Sequence, residues 1–352
     1  MRALRAWLED RFGLRPAMAF IAKKEVPCHK HAFLYYTGSS ILLFLGIQIV
    51  TGVLLALYYR PTLAEANPSV VRIITEMPLG WLVRSVHSWS ATFMILTVFV
   101  HMLGIAFTKS YRKPREATWL TGFLLLVASL AFGFTGYLLP WDELSLAATK
   151  VGTNIPKSLP LIGVWLTKVL RAGEDVTGDT LSRFFIVHVC VLPLALLAIV
   201  GIHVFLVQRH GMSVPLEAER DKRQVPALPF WPNFVFREAG VWLVLLGVLL
   251  TIAVFAAPGL GPQADLMAPA PEGVKPEWYF LFLFQTLKLF PARILGLNGE
   301  LVAVLIMMVG MALLLLVPFI DNRPFERKGK VVTALAWAGL AYAVGMSIWS
   351  LL

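Results

Sequence analysis

Seven long runs of apolar residues dominate this sequence, and each is close to the length of a membrane-spanning helix. Hydrophobic residues fill 58% of the 352 positions and mean hydropathy is +0.72, well above the roughly 45–50% apolar content of soluble domains. Crossing about 30 Å of hydrocarbon takes about 20 such residues. The sequence therefore predicts an all-α membrane protein with seven transmembrane helices. The predicted spans, labelled A to G, are Gly38–Tyr58, Trp81–Phe107, Thr118–Leu139, Arg183–Val207, Gly240–Ala257, Glu300–Ile320 and Val331–Leu352.

The basic residues are divided unevenly between the two sides of these spans. The N-terminal segment and the BC, DE and FG loops hold 20 Lys and Arg, whereas the AB, CD and EF loops hold nine. The net charge of +10 thus lies in short loops and not in an arm or patch, so we expect no nucleic-acid partner. The positive-inside rule predicts a cytoplasmic N-terminus. The mixed apolar and charged segment 1–24 is typical of an amphipathic surface helix.

Four of the seven histidines fall inside predicted spans. His87 and His101 lie in span B, 14 residues apart, and His188 and His203 lie in span D, 15 residues apart. These separations place each pair roughly 21–23 Å apart along one helix face. Both spans run in the same direction, so His87 is level with His188 and His101 with His203. One intramembrane histidine is often only hydrogen-bonded to a neighbouring helix, but four at matched depths predict two bis-imidazole sites.

Haem is the large planar cofactor that takes two axial histidines. The two cysteines, Cys28 and Cys190, are too few for an iron-sulfur or thiolate zinc site. A haem between helices also needs small residues beside it, and spans A and C supply two glycine pairs that repeat the 14-residue period. These are Gly38 with Gly52 and Gly122 with Gly136. Arg84 and Arg183, near the ends of spans B and D, are candidates to bind haem propionates or to snorkel to the membrane interface.

The sequence also resembles the cytochrome b family from about Val26 to the C-terminus. The motifs that carry the resemblance are Trp81–His87, Gly136–Asp142 and Pro276-Glu277-Trp278-Tyr279. The 15-residue spacing in span D, with Pro193 inside it, and the count of seven spans are similar to the b6 branch joined to its subunit IV. This implies a b6-like di-haem four-helix bundle with its surface helix over 1–210. A subunit IV-like three-helix part over 211–352 would carry the quinol-oxidation loop.

The resemblance implies the cytochrome b subunit of a bc-type quinol oxidoreductase in a bacterial inner membrane. Two haems b would carry electrons from quinol oxidation on the positive side to quinone reduction on the negative side, with proton translocation. The haem of His87 and His188 would be the low-potential one. Glu277 would accept a quinol proton, with Tyr279, Pro276 and Trp278 completing its loop. Implied partners are a Rieske iron-sulfur protein, a c-type cytochrome, membrane lipids and a second copy of the chain.

Three features leave alternatives open. The b6 branch carries a cysteine for a covalent haem c where this chain has Tyr36, so Cys28 is either an alternative attachment point or an unmodified thiol. Arg209 and His210, just past span D, are candidates for the quinone-reducing site or for lipid contact. The four histidines alone would also fit a di-haem anchor of a dehydrogenase or hydrogenase, or the proton relay of a transporter.

Overall fold

The computed structural model describes residues 2–269, 271–321 and 327–352. Within these ranges, seven helices are long and apolar enough to cross a membrane, as the sequence predicted. The chain is therefore a multi-pass membrane protein. The observed spans A to G are Ala32–Ala56, Gly80–Phe107, Glu116–Tyr137, Gly178–His210, Phe230–Phe255, Gly299–Ile320 and Gly329–Leu351.

The predicted starts of spans A, D and E were wrong by more than one turn. Span A begins at Ala32 and not at Gly38, with a 3-10 turn over Ala32–Leu34 ahead of its α-helix. Span D begins at Gly178 and not at Arg183, because Thr177 and Thr180 form a reciprocal N-terminal capping box. Span E begins at Phe230 and not at Gly240. Its first turns contain Pro232 and the charged pair Arg237 and Glu238, which resemble a loop in the sequence. Proline is tolerated there because the first N–H groups of a helix have no intrahelical acceptor.

The first four spans pack as two helix pairs. Span A lies along span B, span D lies along span C, and spans B and C are also in contact. Span E packs against the outer side of spans A and B, span F packs against span C, and span G packs against the short helix Leu281–Leu289 of the EF loop. Each histidine-bearing span thus lies along a glycine-bearing span, span B along span A and span D along span C.

On the side of the N-terminus, the chain forms two short helices where one was predicted, Arg2–Phe12 and Leu14–Lys23. Gly13 separates them in the left-handed region at φ +56°. The next residues form strand β1 (Glu25–Pro27), which pairs antiparallel with strand β2 (Ala227–Pro229) just before span E. The N-terminal segment is thereby tied to the junction between spans D and E.

A buried ion pair joins the BC loop to spans F and G on the same side. Lys109 Nζ donates to Asp321 Oδ2 at 2.5 Å and to the Gly329 carbonyl at 2.9 Å. The Tyr111 hydroxyl donates to the same Asp321 oxygen at 2.5 Å, and burial is the first cause that raises the pKa of Tyr111. Of the basic FG loop predicted from the sequence, residues 322–326 lie outside the described residues.

On the opposite side, the AB, CD and EF loops form a cap of short helices. The AB loop forms Ala66–Thr75, the CD loop forms Glu143–Asn154 and Gly163–Arg171, and the EF loop ends in a hairpin of strand β3 (Arg293–Ile294) and strand β4 (Leu297–Asn298). Asp142 joins two of these loops, since its carboxylate accepts from the backbone N–H groups of Ser145 at 2.8 Å and Gly261 at 3.2 Å. Asn67 of the AB loop donates to the carbonyls of Pro140 at 3.2 Å and Gly261 at 3.3 Å, so the three loops form one structural unit.

Candidate redox site

The structure brings the four membrane histidines together in the two predicted pairs. The rings of His87 and His188 face each other with centroids 6.5 Å apart and planes at 72°. Two metal–imidazole bonds of about 2 Å each, added to the half-widths of two rings, span a distance of this size. His101 and His203 are close enough to interact electrostatically. The spacing of the first pair thus fits a metal centre with two axial imidazoles, and the proximity of His101 to His203 makes the second pair the candidate for another.

The four predicted glycines lie directly against these imidazoles. A Cβ atom added to Gly38, Gly52 or Gly122 would lie 3.3–3.4 Å from the Cε1 atom of His101, His87 or His203. The same atom on Gly136 would lie 2.6 Å from His188 Cε1, closer than side chains approach. Gly136 is therefore required for the position of the His188 ring, and the other three glycines allow their rings a close approach. Contact with the haem itself stays a prediction.

Each histidine also has a threonine partner that the sequence reasoning missed. Nδ1 of His101 lies 2.8 Å from the Thr37 hydroxyl oxygen, and Nδ1 of His87 lies 2.8 Å from that of Thr51. Nδ1 of His203 lies 2.9 Å from the Thr121 hydroxyl oxygen, and Nδ1 of His188 lies 3.0 Å from that of Thr135. Every one of these threonines directly precedes one of the four glycines. The fourfold Thr-Gly dipeptide is a signal that the sequence carries, although a neutral threonine in an apolar helix does not stand out as an ionisable residue does.

A π-helical segment explains the unequal spacing of the two histidine pairs. Residues Val187–Val191, which include His188, form a π-helix, and the α-helix resumes at Leu192. Pro193 follows directly, and since it has no N–H it cannot bond to the Val189 carbonyl as an α-helix requires. The wider π turn holds one extra residue. The 15 residues between His188 and His203 thus cover the same rotation as the 14 in span B.

The Pro-Glu-Trp-Tyr loop packs beside the His87 and His188 pair. The Tyr279 hydroxyl lies 2.6 Å from where a Cβ of Gly133 would be, so it rests on the backbone of span C. Phe132, the residue before Gly133, contacts the His188 ring with centroids 5.4 Å apart. Trp278 contacts Phe99 of span B at 6.2 Å. The loop therefore lies within about one helical turn of the pair of His87 and His188.

Known proteins match this arrangement over nearly the whole chain. The family model "Cytochrome b/b6/petB" matches residues 21–211, and "Cytochrome b(C-terminal)/b6/petD" matches residues 263–349. The chain belongs to the cytochrome b family. A cytochrome bc complex cytochrome b subunit from Chlorobaculum thiosulfatiphilum is 44% identical over 327 residues, which are 93% of this chain and 75% of that protein. With this membership, the dehydrogenase anchor and the transporter are set aside.

Two further comparisons agree with this membership. Cytochrome b6 of Auxenochlorella protothecoides is 40% identical over 210 residues, which are 60% of this chain and 97% of that protein. A chain of a structure titled "Hyperthermophilic respiratory Complex III" superposes with a TM-score of 0.86 at 29% identity, covering 99% of this chain and 91% of that one. The chain is thus a cytochrome b subunit of the bc type, and its family implies b haems.

In this cytochrome b, the Glu277 carboxyl lies in a mainly apolar environment. Burial raises its pKa, although a backbone hydrogen bond from Trp278 acts in the opposite direction. Burial also raises the pKa of the neighbouring Tyr279, and the nearby Glu277 and Tyr137 add to that effect. Trp278 Nε1 is buried without a hydrogen-bond partner among the described residues. A carboxyl whose pKa is raised in this way holds a proton more readily than an exposed glutamate does, which suits it to take up and release a proton.

The two arginines predicted at the haem edges bond to backbone carbonyls of the cap. Arg84 donates to the carbonyls of Pro258 at 2.7 Å and Gly259 at 2.8 Å, which lie just after span E. Arg183 donates to the Val169 carbonyl at the end of a CD-loop helix. Both remain near the positive-side histidine pair in sequence, and propionate binding by either stays a prediction.

Arg209, His210 and Cys28, which were predicted to lie on the side of the N-terminus, have different surroundings in the structure. Arg209 is exposed, His210 is half-buried with its Nδ1 lacking a partner in the described part of the chain, and Cys28 donates its backbone N–H to Pro226. A different polar group was missed by sequence reasoning. Lys24 Nζ donates to Gln208 Oε1 at 2.6 Å. Burial lowers the pKa of Lys24 and nearby Glu238 opposes that shift, so three elements distant in sequence contribute to this group.

Proposed function

We propose that this cytochrome b is the catalytic membrane subunit of a quinol:cytochrome c, or equivalent, oxidoreductase. His87 with His188 and His101 with His203 would each hold one haem b, which supplies reversible one-electron transfer when bound. The observation that carries the proposal is the packing of the Glu277 loop against span C beside His188. A proton acceptor and an electron-accepting centre are then side by side, as quinol oxidation requires.

The residues of the loop have separate tasks in this proposal. Glu277 takes a proton from quinol and releases it when it reaches water, because its surroundings favour the neutral acid. Tyr279 and Trp278 form the wall that excludes water, and Pro276 restricts Lys275 to extended conformations. Quinone reduction takes place on the negative side, where Arg209 and His210 stay candidates and the group of Lys24, Gln208 and Glu238 offers further polar contacts.

The finer assembly belongs to the same proposal. The chain is divided into a b6-like part, 1–210, and a subunit IV-like part, 211–352, and two copies form a homodimer in a bacterial inner membrane with the N-terminus in the cytoplasm. A Rieske protein and a c-type cytochrome receive one electron from each quinol. Cys28 is retained as a possible thioether attachment for a haem c. Haem that stays with the chain on a denaturing gel would support this attachment, and a colourless band would remove it.

The haem assignment is tested by the optical spectrum of the purified protein. Dithionite should produce the bands of two b haems, and His203→Leu should remove mainly the negative-side haem while the pair of His87 and His188 keeps the other. Lys222 in the DE loop is exposed, and its side chain makes no ion pair with a described residue, so Lys222→Leu is the control for loss of a polar side chain on the same side. A spectrum unchanged by His203→Leu would end the assignment.

A further inference from the structure

The four threonine hydroxyls are arranged alike around the histidine rings. Each donates its hydrogen to a carbonyl of its own helix. Thr37 donates to Leu34 at 2.6 Å, Thr51 to Ile47 at 2.6 Å, Thr121 to Thr118 at 2.9 Å and Thr135 to Ala131 at 2.8 Å. A hydroxyl has one hydrogen. The oxygen can then only accept from the imidazole, so Nδ1 carries the proton in all four rings.

This fixes which nitrogen faces the centre of the bundle. A neutral imidazole protonated at Nδ1 presents the lone pair of Nε2. The adjacent glycine allows the ring to approach, and the threonine fixes its tautomer and rotation, so each Thr-Gly dipeptide performs two tasks for one ligand. We propose that these threonines are positioning residues that set the basicity of the axial imidazoles and hence the reduction potentials of the two haems. The proposal rests on the haem assignment made above.

The two helices that carry the ligands differ in how far they depend on threonine. The His188 and His203 rings of span D also lie near the backbone carbonyls of Phe132 and Thr118, which can share the Nδ1–H. For His87 and His101 of span B, the described residues provide no acceptor besides Thr51 and Thr37. Loss of a threonine should therefore affect a span B ligand more than its span D partner at the same haem.

The haem assigned to His87 and His188 has one ligand on span B and one on span D, so the threonine partners of the two ligands can be compared within one site. In Thr51→Val the size of the side chain is kept, but Nδ1–H of His87 loses its acceptor and the ligand becomes less basic, which disfavours the ferric state. Loss of an outer-shell hydrogen bond changes the affinity of a metal site by about tenfold or more. If the preference of the site for ferric over ferrous haem falls tenfold, the reduction potential of that haem rises by about 59 mV. Thr135→Val should raise it less, and Thr51→Ser should restore the original value. Thr97→Val is the matched control, since Thr97 bonds only to the Phe93 carbonyl of span B.

Redox titration of each haem, with electron paramagnetic resonance of the ferric state, measures these effects without turnover. The potential of the negative-side haem should stay constant in Thr51→Val and reports correct folding. If that variant loses both haems, Thr37→Val against Thr121→Val makes the same comparison at the other site. Equal potentials in the Thr51→Val, Thr97→Val and unaltered proteins would overturn the role of threonine while leaving the ligands assigned. Absence of b haems from the unaltered protein would instead overturn the proposed function.

Discussion

In the proposed function, Glu277 is the residue that takes the proton from quinol. In Glu277→Gln the shape is kept but no proton is exchanged, so quinol oxidation should slow by about 10²-fold while haem content stays normal. Because burial raises the pKa of Glu277, the carboxylate that accepts a proton forms only as pH rises through that raised value. The rate of the unaltered protein should therefore increase with pH over this interval, and the Gln variant should lack the increase.

The control for this measurement lies in the same loop. Glu272→Gln makes the same chemical change at an exposed carboxyl five positions before Glu277, and it should leave both the rate and its pH dependence unchanged. Steady-state quinol oxidation across pH separates the two variants. A Glu277→Gln protein with unchanged rate at every pH would show that water or another group accepts the proton.

Substitution of glycines by alanine tests which glycines are needed to make room for a histidine ring. Gly136→Ala would place a Cβ 2.6 Å from His188 Cε1, whereas Gly46→Ala in span A meets no atom within 4 Å. The first should displace the ligand and remove the positive-side haem. The second should leave both haems in place, since alanine is favoured over glycine in a helix interior. Haem content by reduced-minus-oxidised spectra checks this, and equal haem content in the two variants would contradict the steric argument.

At the residue scale, the sequence predicted the ionisable residues, whose burial in a membrane costs free energy, and missed the polar residues whose burial costs little. A histidine inside an apolar run stands out because burial of an ionisable group needs a reason. Thr51 does not, since a threonine can satisfy its hydroxyl on the carbonyl of its own helix. Lys24 and Gln208 are paired only through folding, so their spacing in sequence gave no signal.

Span D contains an extra residue that its partner span B lacks. Deleting Cys190, an exposed residue of the π segment, should convert that turn to α-helix and keep both ligands in place. Deleting the equally lipid-facing Leu96, which is 45% exposed in span B, should instead rotate His101 by about 100° relative to His87. Haem spectra distinguish the two outcomes. Loss of the negative-side haem in both deletions would show that the π turn does not absorb the change.

At the element scale, length and hydropathy predicted the seven spans, but their starts depend on interactions that are not visible in a hydropathy pattern. The start of span E was missed because Arg237 and Glu238 interrupt its apolar run. The π segment was missed because a count of residues between histidines assumes 100° for each one. Pro193 was the available signal, since a proline within a span must disturb the hydrogen bonds before it.

For the molecule as a whole, the cap formed by the AB, CD and EF loops is the expected docking face of the Rieske protein. It presents exposed apolar residues beside the redox site, including Leu161 and Trp165 of the CD loop. A photo-crosslinker at Leu161 should capture the Rieske subunit in the intact complex. The same group at Lys222, exposed in the DE loop on the opposite side, should not. Capture from Lys222 alone would reverse the proposed orientation.

The ties between the two parts of the chain have a genetic consequence. Strand β1 pairs with strand β2, Lys109 bonds to Asp321, and span E packs on spans A and B, so the parts are joined by non-covalent contacts at several places. The exposed segment around Gln224 adds only the covalent link. We expect a gene divided at this point, with each half given its own start codon, to encode two polypeptides that reassemble in the membrane.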